Sequence, residues 1–247
     1  MLACCLVELA EPAETQYDVH FKIGKIPVRI HPIFWLGAVL LGGALRGAGP
    51  AHVAMWVAAV TLSIVVHELG HALAAKAYGW SPRIVLHGLG GLAIYRPGQQ
   101  SWLSRVAIAA AGPGAGFILG GVVVGIAVLT GHSVILPLVK LKIGTGPLLD
   151  GRLGLFVGMM TFINVFWGLV NLLPVQPLDG GHILAAILQK SRPRDGLTLS
   201  YQVSIGVAIT VAVISLVTLG ELFLAVMFGF LAYSAWSTLQ QLRAAGY

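Results

Sequence analysis

Asp, Glu, Lys and Arg are missing from residues 47–66, 106–139, 153–178, 196–220 and 222–242 of this chain. Each stretch is close to, or longer than, the roughly 20 residues that a helix needs to cross the hydrocarbon core of a bilayer. Only 10% of the 247 residues are charged and 57% are hydrophobic, whereas soluble domains carry about 25% charged residues. The expected fold class is therefore an all-α polytopic membrane protein of about six transmembrane helices. The spans fall near 32–46, 51–77, 103–130, from 153 into NLLPVQPLDGG, and near 198–219 and 221–241. A small β-hairpin or sheet is expected near the cytoplasmic face, because IVLHGLGGLAIY is rich in β-branched and aromatic residues around a glycine cluster. VHFKIGKIPVRI, upstream, alternates weakly and also reads as an interfacial strand. The chain reads as one membrane-embedded domain over 1–247: an N-terminal cytoplasmic or interfacial segment at 1–30, a core at 32–190, and two further spans at 198–241.

Six spans put both termini on one side of the membrane. Lys22, Lys25, Arg29, Lys76, Arg83, Arg96, Arg105, Lys190, Arg192, Arg194 and Arg243 fall on that side, and Arg46, Lys140, Lys142 and Arg152 on the other. The excess of basic residues makes the first side cytoplasmic. Arg46, at the end of a short first span, can snorkel to the interface. The net charge of +6 is spread along the chain, so it sets orientation and does not mark a nucleic-acid surface. Cys4 and Cys5 are adjacent and form neither a disulfide framework nor a metal-ligand spacing. The opening MLACCLVELA, with Glu8, is too short and too acidic for a secretory signal.

Against this background VVHELGHALA, residues 65–74, stands out. On a helix His67 and His71 lie one turn apart on one face, with Cβ atoms about 6 Å apart. Two imidazoles so placed can chelate one zinc ion, and Glu68, about 100° round the helix, can act as general base. The plain alternative is a pair of histidines hydrogen-bonded within the bundle. Ionisable residues inside a span are costly and mark function, which favours the metal.

Catalytic zinc usually takes three protein ligands and a water. His52, His87, His132, His182, Asp150, Asp179 and Glu221 are the candidates outside the motif. Asp150 and His132 belong to an outer loop, and Glu221 opens the last span on the wrong side. Asp179 sits in NLLPVQPLDGG at the cytoplasmic end of the fourth span. Pro174 and Pro177 break the helix there, and Gly180 and Gly181 permit a sharp turn. Irregular backbone at membrane depth belongs where it lines a cavity or is buried in protein. A capping aspartate in an Asp-Gly turn is the simpler reading of Asp179 alone; with HELGH at the same depth, the ligand reading prevails.

A helical substrate must be locally unwound before its carbonyls can be attacked, and pairing with a sheet edge would hold it extended. The segment Gly91–Leu92–Ala93 can supply that edge; otherwise it is a plain interfacial hairpin.

The two motifs, His67-Glu68-Leu69-Gly70-His71 and Asn171 to Pro174 to Asp179-Gly180, resemble those of the site-2 protease family, intramembrane zinc metalloproteases. The resemblance extends over about residues 20–190 and implies one zinc per chain, held by His67, His71 and Asp179. It implies Glu68 as general base and Asn171 as a donor to the substrate carbonyl or oxyanion. AAGPGAG, with Gly112, Pro113 and Gly116, resembles the family's glycine-containing motif; helix packing through small residues explains it equally well. The chain leaves no segment for the PDZ or CBS domain of many relatives. The implied substrates are single-span membrane proteins, such as anti-sigma-factor-like regulators or signal-peptide remnants, cut within the bilayer. The implied setting is a prokaryotic cell membrane, and homo-oligomerisation is left open. The rival class is a membrane metal transporter or sensor using the same His/Asp site. It requires several sites or a polar pathway, and only one cluster is visible. A membrane zinc protease with a downstream glutamate ligand is disfavoured, because no Glu lies between Glu68 and Glu221.

Overall fold

The computed structural model describes residues 11–44, 47–88, 90–96, 98, 101–136 and 140–245. Cys4, Cys5, Glu8 and Arg46 lie outside the described residues. The chain falls into two compact units, one of Met1–Gly98 with Ala111–Gly168, the other of Gln99–Ala110 with Leu169–Tyr247.

The first unit opens with a four-stranded sheet in the order β1 (Val19–Ile23), β2 (Ile26–Ile30), β3 (Arg83–His87), β4 (Gly90–Ile94). β1 and β2 form a hairpin over a two-residue loop, Gly24–Lys25. Gly24 takes a φ of 59° there, the positive value that such tight turns require. β2 then pairs with β3 in parallel, Arg29 opposite Val85, and β3 pairs antiparallel with β4, Val85 opposite Leu92. Period-two alternation sends Ile26, Val28 and Ile30 into the core with Ile84 and Leu86. Arg29 bonds to Glu11 at 3.0 Å, to Asp18 at 3.2 Å and to the Pro12 carbonyl at 2.9 Å. The sheet is thus larger than the hairpin expected around residue 90, because a parallel partner more than fifty residues away leaves no local signal.

His31 caps helix α1 (Pro32–Leu41) by accepting the Ile33 N–H at its Nδ1, 3.2 Å away. Pro32 is pre-shaped for a first helical turn. The helix gives way to Gly42 and Gly43, the latter at φ 83°. It is ten residues long, about 15 Å, and falls short of the full span expected over 32–46. α2 (Pro50–Ala77), α3 (Trp102–Leu129) and α4 (Gly151–Asn171) follow, all long and apolar enough to cross a membrane. α4 carries a π-helical segment at Ile163–Trp167. A short hairpin, β5 (Val134–Leu136) with β6 (Leu141–Ile143), lies in the loop between α3 and α4.

The second unit holds the irregular NLLPVQPLDGG segment, α5 (Asp179–Ser191), α6 (Gly196–Val217) and α7 (Leu222–Ala244). α6 and α7 bring the long apolar helices to five among the described residues. Val217, Leu222, Phe230 and Tyr233 stay exposed on them, as lipid-facing side chains do. Arg105 bonds to Gln189 at 3.0 Å, and the Gln176 N–H donates to Ser204 Oγ at 3.1 Å.

The parallel β2–β3 pairing decides how α1 is used. Two neighbouring strands of one sheet lie on the same side of a membrane, so the chain between Ile30 and Arg83 crosses an even number of times. α2 is long and apolar enough to cross once, and an even count requires a second crossing between Ile30 and Pro50, where α1 lies. The long apolar helices number five among the described residues, one fewer than the six spans expected. In a variant with Cys4 and Cys5 replaced by serine, a cysteine at Gly49 should react from the side opposite to cysteines at Lys25 and Ser81. Membrane-impermeant labelling of sealed vesicles reads this directly, and labelling of all three from one side would remove the first crossing.

Candidate metal centre

α2 buries one stripe, comprising Val60, Ser63, Ile64, His67, Glu68, His71, Ala72 and Ala75. The i, i+3, i+4 spacing of a helix face thus brings both histidines and the glutamate inside on the same stripe. They are 9%, 6% and 8% exposed in chain order, too little to be solvated as surface groups. The two Nε2 atoms stand 3.1 Å apart and the rings meet edge to face at 78°. Two ring nitrogens each about 2.0–2.1 Å from one tetrahedral ion stand roughly 3.3 Å apart, so the pair already has the bite that zinc requires.

His67 and His71 offer two imidazoles from the first unit, and Asp179, in the second unit, offers a carboxylate. Two imidazoles and a carboxylate make a borderline N/O donor set, which suits zinc. Asp179 is the first residue of α5, with Leu178 as its cap. A carboxylate in the first turn is favoured by the helix dipole. The preceding segment is built from tight main-chain bonds, Val175 N–H to Leu173 O at 2.7 Å and Leu178 N–H to Val175 O at 2.8 Å. Gly180 and Gly181 make this possible: a Cβ on the first would collide with the Leu172 carbonyl, and one on the second with the Val175 carbonyl. Asn171 ends α4 and is 9% exposed.

Three further glycines shape the space around the histidines and Glu68. A Cβ on Gly70 would strike the Ala111 carbonyl, which lets α2 and α3 approach backbone to backbone. A Cβ on Gly112 would occupy the place of the His71 ring. A Cβ on Gly91 would stand 2.5 Å from Glu68 Cγ and 2.8 Å from its Oε1. β4 is an outer strand of the sheet among the described residues, so its bare main chain at Gly91 lies directly against the Glu68 carboxylate. Leu92 and Ala93 continue that strand, opposite Val85 and Ile84.

Two residues escaped the sequence analysis. Asn164, on the π-helical segment, is 2% exposed and donates from Nδ2 to Ser63 Oγ and to the Met160 carbonyl, both at 2.8 Å. Ser63 is one turn before His67. The available signal was an amide alone in a charge-free span, and a hydroxyl in register with the two histidines.

The sequence profile described as peptidase family M50 matches residues 55–213. A zinc metalloprotease of Methanocaldococcus jannaschii is 32% identical over 171 residues, covering 69% of this chain and 45% of that protein. Stage IV sporulation protein FB of Bacillus subtilis is 27% identical over 173 residues, covering 68% of this chain and 50% of that protein. The chain thus spans about half or less of the length of these relatives. A solved site-2 protease from Methanocaldococcus jannaschii aligns with a TM-score of 0.57 over 90% of this chain and 94% of that one, at 24% identity. That likeness is one of fold.

Gly112 gives the sharpest test of the centre. Gly112→Ala puts a methyl group where the His71 ring lies, and should weaken zinc binding by about tenfold or more. Gly114→Ala, where a Cβ meets nothing within 4 Å, should leave it unchanged. Competition titration against a chelator in detergent distinguishes them; equal affinities would mean that the ring is not held by this contact.

Proposed function

The chain belongs to peptidase family M50, and we propose that it hydrolyses peptide bonds within or next to transmembrane segments of single-span membrane-anchored proteins, as an intramembrane zinc metalloprotease. The observation that carries the proposal is the convergence of the two Nε2 atoms at 3.1 Å, on a 28-residue apolar helix that also holds Glu68. A site built into a span meets a substrate that is itself in the bilayer.

His67, His71 and Asp179 would hold the ion. When bound, zinc supplies Lewis acidity to the scissile carbonyl and acidifies the attacking water. Glu68 takes the proton of that water and returns it to the leaving amine. Asn171 donates a hydrogen bond to the substrate carbonyl. Gly91, Leu92 and Ala93 offer main-chain groups along the edge of β4 to an unwound substrate segment. The contact of Gly91 with Glu68 supports this role, since a strand paired there runs past the general base. The basic-residue bias supports cytoplasmic termini, and the prokaryotic sources of the relatives support a prokaryotic cell membrane. The labelling experiment above then reads Lys25 and Ser81 from the cytoplasm and Gly49 from outside.

Purified protein in detergent should contain zinc and cleave a model single-span substrate, and a chelator should stop it. Metal binding without cleavage would favour a transporter or sensor. Glu68→Gln should retain zinc and lose at least about 100-fold in rate. Asp179→Ala should lose metal and activity together; full zinc occupancy in that variant would remove Asp179 from the ligand set.

The edge-pairing role has its own test. Leu92→Pro takes away one main-chain donor, whereas Leu92→Val keeps the backbone. Cleavage should fail in the first and survive in the second, with normal zinc content in both. Equal cleavage would make β4 an interfacial element only.

A further inference from the structure

Nothing on a smooth apolar helix resists rotation in a bilayer, because lipid tails are as apolar as the side chains they replace. Rotation matters to α2. Turning a helix by 10° moves an atom about 5 Å from its axis by roughly 0.9 Å, while metal–ligand distances are held to about 0.2 Å. Something must fix the azimuth of the helix that carries His67 and His71.

We infer that Asn164 is a positioning residue for the metal-binding face of α2, acting through Ser63; this rests on the zinc reading given above. Ser63, His67 and His71 follow one another at four-residue steps and so lie in one row on the helix. Asn164 Nδ2 holds Ser63 Oγ at 2.8 Å and is itself tied to the Met160 carbonyl at 2.8 Å. Ser63 Oγ in turn lies 3.8 Å from Met160 Sδ. All three residues are 4% exposed or less. This is a directional attachment one turn before the first histidine, where the rest of the packing is apolar.

The other half of the amide shows that helix stability does not explain it. Asn164 Oδ1 is buried and has no hydrogen-bond donor among the described residues. It faces Gly116, whose Cβ would stand 3.5 Å from it, and the Asn164 Cβ is 3.3 Å from that of a residue built at Gly120. The backbone of α3 at Gly116 lies beside the oxygen, and any C–H contact it offers there is weak. A buried acceptor without a donor is destabilising, and leucine, with the same branching though a larger volume, carries no such acceptor. The amide is retained for its N–H side. The π-helical segment that carries it fits the same role, since such segments concentrate at functional sites.

The test compares Asn164→Leu, Ser63→Ala and the parent as full-length protein in detergent. Three quantities are read: zinc affinity by chelator competition, thermal stability of the metal-free protein, and the visible spectrum of the cobalt-substituted protein, which reports ligand geometry. In both variants zinc affinity should fall about tenfold, as it does when a group supporting a ligand is lost, and the cobalt bands should shift. Metal-free Asn164→Leu should melt no lower than the parent. The double variant should bind zinc no more weakly than the weaker single one, because the two side chains act in series. Zinc affinity within twofold of the parent and an unchanged cobalt spectrum would overturn the inference, as would a lower melting temperature as the only effect. If Asn164→Leu does not fold, Ser63→Ala alone decides by the same criteria. His67→Ala separates the two levels: a parent whose zinc binding ignores His67 refutes the zinc reading itself, whereas loss in His67→Ala with no change in the Asn164 and Ser63 variants refutes only this positioning role.

Discussion

Two imidazole nitrogens held 3.1 Å apart inside a membrane-spanning helix are the constraint from which the surrounding arrangement follows. A carboxylate and two imidazoles at 6% to 9% exposure are expensive to bury in an apolar setting. Their burial makes sense when the groups converge on a cation. The pair also demands closeness from everything around it. A helix packed against His71 cannot carry a side chain at the contact, and the strand beside Glu68 cannot carry one either.

That closeness explains which glycines matter. At Gly70, Gly91, Gly112, Gly180 and Gly181 an added methyl group would meet backbone, a histidine ring or the glutamate side chain. Gly90, Gly114 and Gly121 meet nothing within 4 Å. The chain has 32 glycines, so composition alone does not separate these roles. The clearances around Glu68 and His71 do: they lie on the two elements, β4 and α3, that bring main chain up to the reacting groups.

The site was more legible in the sequence than the fold around it. His67, Glu68 and His71 announce themselves because their spacing is that of one helical turn and their setting is free of other charges. Asp179 stands out less, because the prolines and glycines around it suit a capping aspartate as well, and only HELGH and the family resemblance single it out as a ligand candidate. The first crossing was harder to read. Its helix stops at Leu41, and the parallel pairing of β2 with β3, which argues for a change of side there, joins residues more than fifty apart. Asn164 was illegible for a related reason. Its partner Ser63 is 101 residues away, and a single amide in an apolar run carries no periodicity that points to it.

The parallel pairing of β2 with β3 also sets a schedule. A ribosome delivers β2 some fifty residues before β3, and the long apolar α2 has to be made and the chain return to β2 before the two strands can meet. β4, which lies against Glu68, can join the sheet only after that return. During synthesis Glu68 is therefore made before the strand that flanks it has a place to dock. A half-made chain holds its histidines and glutamate without β4 beside them, so the geometry of one sheet delays the completed surroundings of Glu68 until α2 and β3 are both in place.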